Sequence, residues 1–213
     1  LARASTRNRS LKRSHNKREN KRKYKRYYKD KKQNFHVVLL KPKNQGLIMI
    51  NQNNKIVNDF NIIFFGTPDF AVPALGALIK ANYNVVAVFN QPDKSVGRKR
   101  VLSPPPIKLE AENLRLKVSQ PKTLKDDEVF EKFNSLNPDI CVIDAYGKII
   151  PKRYLDVPKY GFINTHPSLL PKYRGPSPIQ TAILNGEKET GVTIMVVDEE
   201  VDHGPILSSS KYR

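Results

Sequence analysis

Short runs dominated by apolar residues recur along the chain from residue 60 onward. They fall at residues 62–65, 85–89, 140–143 and 161–164. Such runs lack the polar alternation of a half-exposed strand and are typical of strands that are buried on both faces of a sheet. We therefore predict four buried strands, and two more at residues 192–197 and 205–208 on either side of a turn.

Helical patterns separate these runs. Residues 70–80 follow Asp69, a residue type that caps helices, and they place four aliphatic side chains on one side: Val72, Leu75, Leu78 and Ile79. Residues 125–136 carry a similar apolar stripe. Strands that alternate with helices predict an α/β fold of the Rossmann-like type, with a mainly parallel twisted sheet and helices on both faces.

Polar residues follow three of the predicted strands, at residues 66–69, 144–147 and 164–166. Because the carboxyl ends of parallel strands meet at one edge of the sheet, we expect the functional site at this edge. The first turn has a single glycine, Gly66, and lacks the G-x-G-x-x-G pattern of dinucleotide sites. A nicotinamide or flavin dinucleotide enzyme is therefore disfavoured.

Most of the net charge lies in the first 50 residues. The 213 residues include 38 Lys or Arg and 20 Asp or Glu, a net charge of +18, and residues 1–50 alone carry +15. The start of this segment has almost no aliphatic side chains and cannot bury enough surface to offset its ordering entropy. We expect residues 1–58 to form a disordered basic tail and residues 59–213 to form the folded domain.

This basic tail is open to two interpretations. Residues 21–28 combine Lys and Arg with three Tyr, which suits an arm that binds nucleic acid through phosphate contacts and stacking. The chain begins with Leu1, however, and its first methionine is Met49. Residues 1–48 are therefore better interpreted as translated upstream sequence, with Met49 as the true start.

The remaining composition limits the location and the cofactors. A single cysteine, Cys141, excludes a disulfide framework and fits a reducing compartment. The apolar runs are too short to cross a bilayer, and no signal peptide core lies near the start. Four scattered His residues and one Cys offer no spaced set of metal ligands. We expect a cytoplasmic protein without a membrane partner or a metal.

The densest group of candidate residues lies at 164–175. Asn164 and His166 are two positions apart at a strand end, so their side chains share one face of the sheet. An amide beside an imidazole can stabilise a developing oxyanion and move a proton. Asp202 precedes a Gly-Pro turn, from which its carboxylate can reach back and orient His166. Each feature alone is also consistent with a structural role.

Together these residues resemble the folate-dependent formyltransferase family, over about residues 62–207. Asn164, His166 and Asp202 match the catalytic residues of that family. The resemblance implies that Asn164 and His166 hold the oxyanion of formyl transfer, while Asp202 keeps His166 charged and helps to take a proton. It also implies 10-formyltetrahydrofolate as the formyl donor, bound by two groups of residues: Ser168, Leu169, Leu170 and Pro171, and the pocket wall of Tyr146, Gly147 and Ile149.

Within the family, the chain is most similar to members that formylate methionyl-tRNA. Residues 63–71 resemble their first strand and turn, and residues 91–108 resemble the basic loop after their second strand. The implied partner is initiator methionyl-tRNA, bound by a monomeric enzyme that serves translation initiation. Four cations in this loop are the candidates for phosphate contacts, with Arg98 the first to enter the acceptor stem: Lys94, Arg98, Lys99 and Arg100.

Two departures keep alternatives open. Pro167 stands where many of these members have Gly, as in glycinamide ribonucleotide formyltransferase, and His203 stands where Thr is commoner. The purine enzyme is therefore the second interpretation, and sugar-amine formyltransferases are a third. A non-catalytic RNA-binding protein is the alternative from another class. The family's smaller C-terminal tRNA-binding domain has no counterpart here, so we expect a truncated chain that contains all three catalytic residues.

Overall fold

The computed structural model describes residues 35–38, 48–51, 60–96 and 100–213, with side chains for residues 60–95 and 100–213. The chain divides into two units, residues 1–36 and residues 37–213. Two short strands, β1 (Phe35–Val38) and β2 (Ile48–Asn51), form a two-stranded sheet. Most of the expected basic tail lies outside the described residues.

A seven-stranded sheet organises residues 60–213. The strands of this region are β3 (Asn61–Gly66), β4 (Asn84–Phe89), β5 (Lys94–Val96), β6 (Val101–Ser103), β7 (Val118–Ser119), β8 (Ile140–Asp144), β9 (Phe162–His166), β10 (Thr190–Val196) and β11 (Ile206–Tyr212). The sheet has the order β11-β10-β9-β8-β3-β4-β7, and β5 and β6 form a separate hairpin. Strands β7, β4, β3, β8 and β9 run parallel, whereas β10 and β11 are antiparallel to their neighbours. The predicted mainly parallel sheet is confirmed.

The helices of the described residues are α1 (Val72–Lys80), α2 (Pro106–Asn113), α3 (Asp127–Asn134), α4 (Lys152–Leu155) and α5 (Pro178–Leu184). The predicted helices at residues 70–80 and 125–136 are confirmed as α1 and α3, each shorter than predicted. The predicted cap at Asp69 is wrong. Asp69 begins a short 3-10 turn, its carboxylate accepts a hydrogen bond from the Phe70 amide, and Ala71 precedes α1.

The stretch at residues 91–108 is not a single long loop, which corrects the prediction. It contains the β5–β6 hairpin and the start of α2. The prolines of this stretch fit a helix start as well as a loop. A residue in the first turn of a helix has no hydrogen-bond partner for its N–H, so Pro, which has no N–H, is favoured there. Pro106 opens α2 in this way, and Pro178 opens α5.

An aromatic core fills one face of the sheet. The Phe65 ring centroid lies 4.9 Å from that of Phe89 and 5.5 Å from that of Phe162. Helices α3 and α4 cover this face with Phe133 and Tyr154, both fully buried. Since side chains two positions apart on a strand share a face, the residues that follow Phe162 along β9 extend this core toward the carboxyl edge.

Cys141 lies in β8 and is fully buried in this core. Burial raises the pKa of its thiol well above the ordinary value, so the residue acts as a small apolar side chain. Within residues 35–38, 48–51, 60–96 and 100–213, every helix is too short or too polar to cross a membrane.

Candidate active site

Hydrogen bonds tie the carboxyl ends of neighbouring parallel strands together. The Thr67 hydroxyl, just after β3, donates to the Tyr146 carbonyl after β8 at 3.0 Å. Gln91, after β4, donates from its backbone to Thr67 at 3.3 Å and from its side chain to the same Tyr146 carbonyl at 3.0 Å. The predicted convergence of strand ends at one edge is confirmed.

Asn164 and His166 both belong to β9, which extends to His166 rather than ending at residue 164. Asn164 lies opposite Ile143 of β8, and His166 lies opposite Thr193 of β10. Their alternation along the strand puts both side chains on the face that carries the aromatic core. Only 5% of the His166 side chain is exposed, so the imidazole is largely shielded from water.

The third predicted residue, Asp202, completes the group. Its Oδ1 accepts a hydrogen bond from the Asn164 amide at 3.4 Å, and its Oδ2 lies 3.5 Å from Nδ1 of His166. Its Oδ2 also accepts from the Gly175 amide at 2.8 Å. An ionised carboxylate only accepts hydrogen bonds and therefore satisfies all three neighbours. The structure brings Asn164, His166 and Asp202 together as the spacing predicts.

Close backbone packing places Asp202. Asp202 has a φ of 48°, in the left-handed region that L-residues rarely adopt. The turn closes where the Val196 amide donates to the Pro205 carbonyl at 2.9 Å. A Cβ on Gly204 would collide with the Val196 carbonyl oxygen, so only glycine permits this approach.

Both ring nitrogens of His166 face oxygen acceptors. Nε2 lies 2.8 Å from the Tyr173 carbonyl oxygen, which can only accept, so Nε2 carries a hydrogen. Nδ1 faces the Asp202 carboxylate. The ring is thus held between two oxygen atoms, the Tyr173 carbonyl on one side and the Asp202 carboxylate on the other. Nothing in the sequence around Tyr173 indicates that its carbonyl makes this contact.

The segment 168–171 is fastened to β10. The Thr193 hydroxyl, fully buried, donates to the Ser168 carbonyl at 2.6 Å and accepts from the Leu170 amide at 3.1 Å. The Ser168 hydroxyl donates to the Lys172 carbonyl at 2.6 Å, and Leu169 packs against Gly191. Leu169 and Leu170 are half-buried and Pro171 is exposed. Of these predicted folate contacts, Ser168 thus uses its hydroxyl within the protein.

The predicted pocket-wall residues have different environments. Tyr146 is buried against Phe65, and its hydroxyl makes no hydrogen bond within the described part of the chain. Gly147 has a φ of 79°, and Ile149 is 80% exposed. An exposed apolar side chain of this size next to the carboxyl edge is compatible with an apolar ligand surface.

Among the predicted phosphate-binding cations, Lys94 lies at the start of β5 and Arg100 precedes β6, both exposed. Arg98 and Lys99 lie outside the described residues. At the base of this hairpin, the Asp93 carboxylate accepts from Lys108 at 2.9 Å and from Gln120 at 2.7 Å. These hydrogen bonds, from Gln120 first and Lys108 second, lower the pKa of Asp93. Sequence reasoning missed this group because its members are separated along the chain.

Two further observations complete the chemistry of the site. Asp144, at the end of β8, is buried, and its desolvation raises its carboxyl pKa to about 7. Within the residues that the structure describes, no cluster of three or more His, Cys, Asp or Glu side chains could hold a metal ion.

Comparison with known proteins agrees with this geometry. The formyl transferase family matches residues 60–213, which is most of the chain. The chain belongs to the formyl transferase family. The methionyl-tRNA formyltransferase of Halalkalibacterium halodurans is 53% identical over 147 residues, covering 69% of this chain and 46% of that protein. The corresponding protein of Macrococcus caseolyticus is 55% identical over 148 residues, covering 70% and 47%.

This chain therefore spans about half the length of the curated relatives it matches. The predicted resemblance to family members that act on methionyl-tRNA is confirmed by these identities. Among solved structures, phosphoribosylglycinamide formyltransferase from Bacillus halodurans has a TM-score of 0.59 at 23% identity, covering 71% of this chain and 79% of that chain. A formyltetrahydrofolate deformylase from Pseudomonas syringae has a TM-score of 0.58 at 22% identity, covering 75% and 54%. At these identities the likeness shows the shared fold.

Proposed function

We propose that this chain transfers the formyl group of 10-formyltetrahydrofolate to the free amino group of methionyl-tRNA. The observation that carries the proposal is the convergence of Asn164, His166 and Asp202 at the carboxyl edge of a formyl transferase fold. The names of relatives at 53% and 55% identity support methionyl-tRNA as the acceptor.

The residues near the site fit a folate by their chemistry. Ile149 is exposed, and Leu169 and Leu170 keep apolar surface accessible, which suits the flat ring system of a folate. The buried Tyr146 hydroxyl is an additional polar group without a partner in the described part of the chain. When bound, 10-formyltetrahydrofolate supplies the formyl carbon that the amine attacks.

The three site residues divide the chemistry among them. As the amine attacks, negative charge develops on the formyl oxygen, and the Asn164 amide and the charged His166 ring are the groups placed to stabilise it. Asp202 holds the His166 ring in orientation through the contact to Nδ1. The attacking amine must lose a proton, and Asp202 is the carboxylate placed to accept it through a water molecule. The bond between the formyl carbon and N10 then breaks, and N10 of the departing tetrahydrofolate takes up a proton.

The contacts to tRNA are proposed for the β5–β6 hairpin. Lys94 and Arg100 are exposed there, and we propose that Arg98 and Lys99, between the two strands, meet the phosphates of the acceptor stem. We further propose that residues 59–213 are the catalytic domain of a cytoplasmic, monomeric enzyme.

A formyl-transfer assay tests the proposal. The purified chain is given 10-formyltetrahydrofolate with either methionyl-tRNA or glycinamide ribonucleotide. We expect formylation of the tRNA. Formylation of the ribonucleotide alone would instead assign the chain to the purine reaction and would contradict the interpretation of residues 91–108.

The same assay tests the role of His166. His166→Ala removes a charged group beside the developing oxyanion, and we expect kcat to fall by about a hundredfold or more. His36→Ala, a histidine outside residues 60–213, is the matched control and should keep wild-type kcat. Near-normal turnover in folded His166→Ala would refute the assignment of His166.

A further inference from the structure

The loop at residues 172–175 is held from two sides. On one side, the Gly175 amide donates to Asp202 at 2.8 Å. On the other side, the Tyr173 hydroxyl donates to Glu187 at 2.5 Å, and the Lys172 ammonium group lies 2.9 Å from the same Glu187 oxygen. The loop is thus fastened both to the candidate active site and to the segment after α5.

The backbone of Tyr173 links this anchor to His166. Tyr173 has a φ of 57°, a left-handed conformation that costs free energy for a residue with a side chain. In this conformation its carbonyl oxygen accepts the Nε2 hydrogen of His166 at 2.8 Å. An unfavourable backbone conformation persists only where surrounding contacts impose it, and the contact between the Tyr173 hydroxyl and Glu187 is one that does so.

The negative charge of Glu187 strengthens its hydrogen bond with the Tyr173 hydroxyl. The hydrogen bond from Tyr173 first, and the one from Lys172 second, lower the pKa of Glu187. The ionised carboxylate is the stronger acceptor for the phenol. The Asn185 side chain also donates to the Tyr173 hydroxyl oxygen at 3.3 Å, so the phenol is held by two partners.

We propose that Tyr173 and Glu187 are positioning residues for His166. Glu187 anchors the Tyr173 side chain, the anchored residue keeps its carbonyl on Nε2, and this contact leaves Nδ1 directed at Asp202. The pair thereby fixes the orientation of the imidazole and the hydrogen on Nε2. The positioning of the ring is inferred from the hydrogen bonds described above, whereas its effect on turnover rests on the proposed function.

Nuclear magnetic resonance of the histidine rings tests the positioning directly. In the 15N-labelled full chain, the His166 signals are those that disappear in His166→Gln. We expect Nε2 of wild-type His166 to carry its hydrogen. In Tyr173→Phe and Glu187→Ala, we expect this hydrogen to exchange with solvent about tenfold faster, the scale of one lost hydrogen bond.

Conservative and control variants separate positioning from general loosening of the fold. Glu187→Gln keeps an acceptor oxygen for the phenol and should exchange at a rate between wild type and Glu187→Ala. Lys211→Met breaks another short Lys–Glu contact, at 2.7 Å to Glu189, which involves neither Tyr173 nor His166, and the variant should exchange as wild type. Thermal unfolding of each variant reports whether it is folded.

Turnover supplies the second readout. If formyl transfer is observed, we expect Tyr173→Phe and Glu187→Ala to lower kcat by about tenfold, to alter its pH profile and to leave KM for methionyl-tRNA unchanged. Failure of wild type to transfer a formyl group would refute the proposed function, and the ring exchange would still decide the positioning role. A hydrogen on Nδ1 alone, or wild-type exchange in folded Tyr173→Phe, would overturn the positioning proposal.

Discussion

Two carboxyl groups at the carboxyl edge of the sheet have opposite environments. Asp202 accepts hydrogen bonds from the Asn164 side chain and the Gly175 amide. Asp144 is buried at the end of β8, and desolvation raises its pKa to about 7 from an ordinary value of 3.8. A proton is therefore taken up by Asp144 on folding at intermediate pH, and stability becomes dependent on pH through this residue.

The sign of this dependence follows from the raised pKa. Between pH about 4 and about 7, the unfolded carboxyl is ionised while the folded one is protonated, so raising the pH through this range lowers the free energy of unfolding. Asp144→Asn removes the titration. Between pH 4.5 and pH 8, we expect the free energy of unfolding to fall less in this variant than in wild type, by a difference of a few kcal/mol.

Urea unfolding at the two pH values measures this difference. Asp126→Asn changes an exposed carboxylate before α3 and serves as the control, with the pH dependence of wild type. Equal pH dependence in wild type and Asp144→Asn would show that Asp144 does not carry the effect.

The sequence predicts some of these residue roles and not others. Asn164 and His166 are predictable because strand alternation sets them on one face, and Asp202 because a polar residue before Gly-Pro marks a turn. The contact between Tyr173 and His166 is not predictable. It involves a carbonyl oxygen, which every residue has, and a positive φ in a residue type that rarely adopts one.

At the scale of elements, the buried strands are predicted by apolar runs, while the short elements are not. Strand β7 has two residues, and β5 and β6 have three each, too few for a periodic pattern. The strands of the β10–β11 hairpin are predicted from the sequence at residues 192–197 and 205–208, but the backbone contact that shapes their turn is not. Gly204 approaches the Val196 carbonyl too closely for any side chain, and this approach sets the turn that carries Asp202.

Replacement of Gly204 tests the contribution of the hairpin. In Gly204→Ala, the added methyl group collides with the backbone of β10, so the turn must shift and Asp202 with it. We expect kcat for formyl transfer to fall by about tenfold to a hundredfold, as misplacement of a reacting group by about 1 Å does.

A second glycine provides the matched control. Gly76 lies within α1, and a Cβ there would meet no atom within 4 Å. Gly76→Ala should therefore keep wild-type kcat and raise the free energy of unfolding by about 0.5–1 kcal/mol. Unchanged kcat in Gly204→Ala would mean that the turn tolerates the methyl group without moving Asp202.

At the scale of the whole molecule, a chain of hydrogen bonds connects the β5–β6 hairpin to the sheet edge. Asp93, at the base of the hairpin, binds Lys108 of α2 and Gln120 after β7. Gln120 also donates to the Gln91 carbonyl at 2.9 Å, and Gln91 in turn contacts Thr67 and Tyr146 at the edge. These hydrogen bonds thus fix the position of the proposed tRNA-binding hairpin relative to the proposed active site.

Breaking this connection should affect the large substrate more than the chemistry. In Lys108→Met, Asp93 loses its charged partner and the hairpin base loosens. We expect KM for methionyl-tRNA to rise by about threefold to tenfold while kcat stays near wild type. Lys132→Met removes an exposed ion pair with Glu128 on α3 and should leave both constants unchanged. A fall in kcat alone would place Lys108 in the catalytic step instead.

The antiparallel pairing of β10 with β9 has a consequence for the order of folding. Asn164 and His166 lie in β9, but Asp202 follows β10, so 38 residues separate Asn164 from its carboxylate partner. The parallel strands β3, β4 and β8 precede them all and can associate first. During synthesis, a chain that has emerged only as far as β9 has the residues of its aromatic core but lacks both oxygen atoms that His166 faces, the Tyr173 carbonyl and the Asp202 carboxylate. The candidate active site is therefore complete only after the β10–β11 hairpin has docked against the preceding strands.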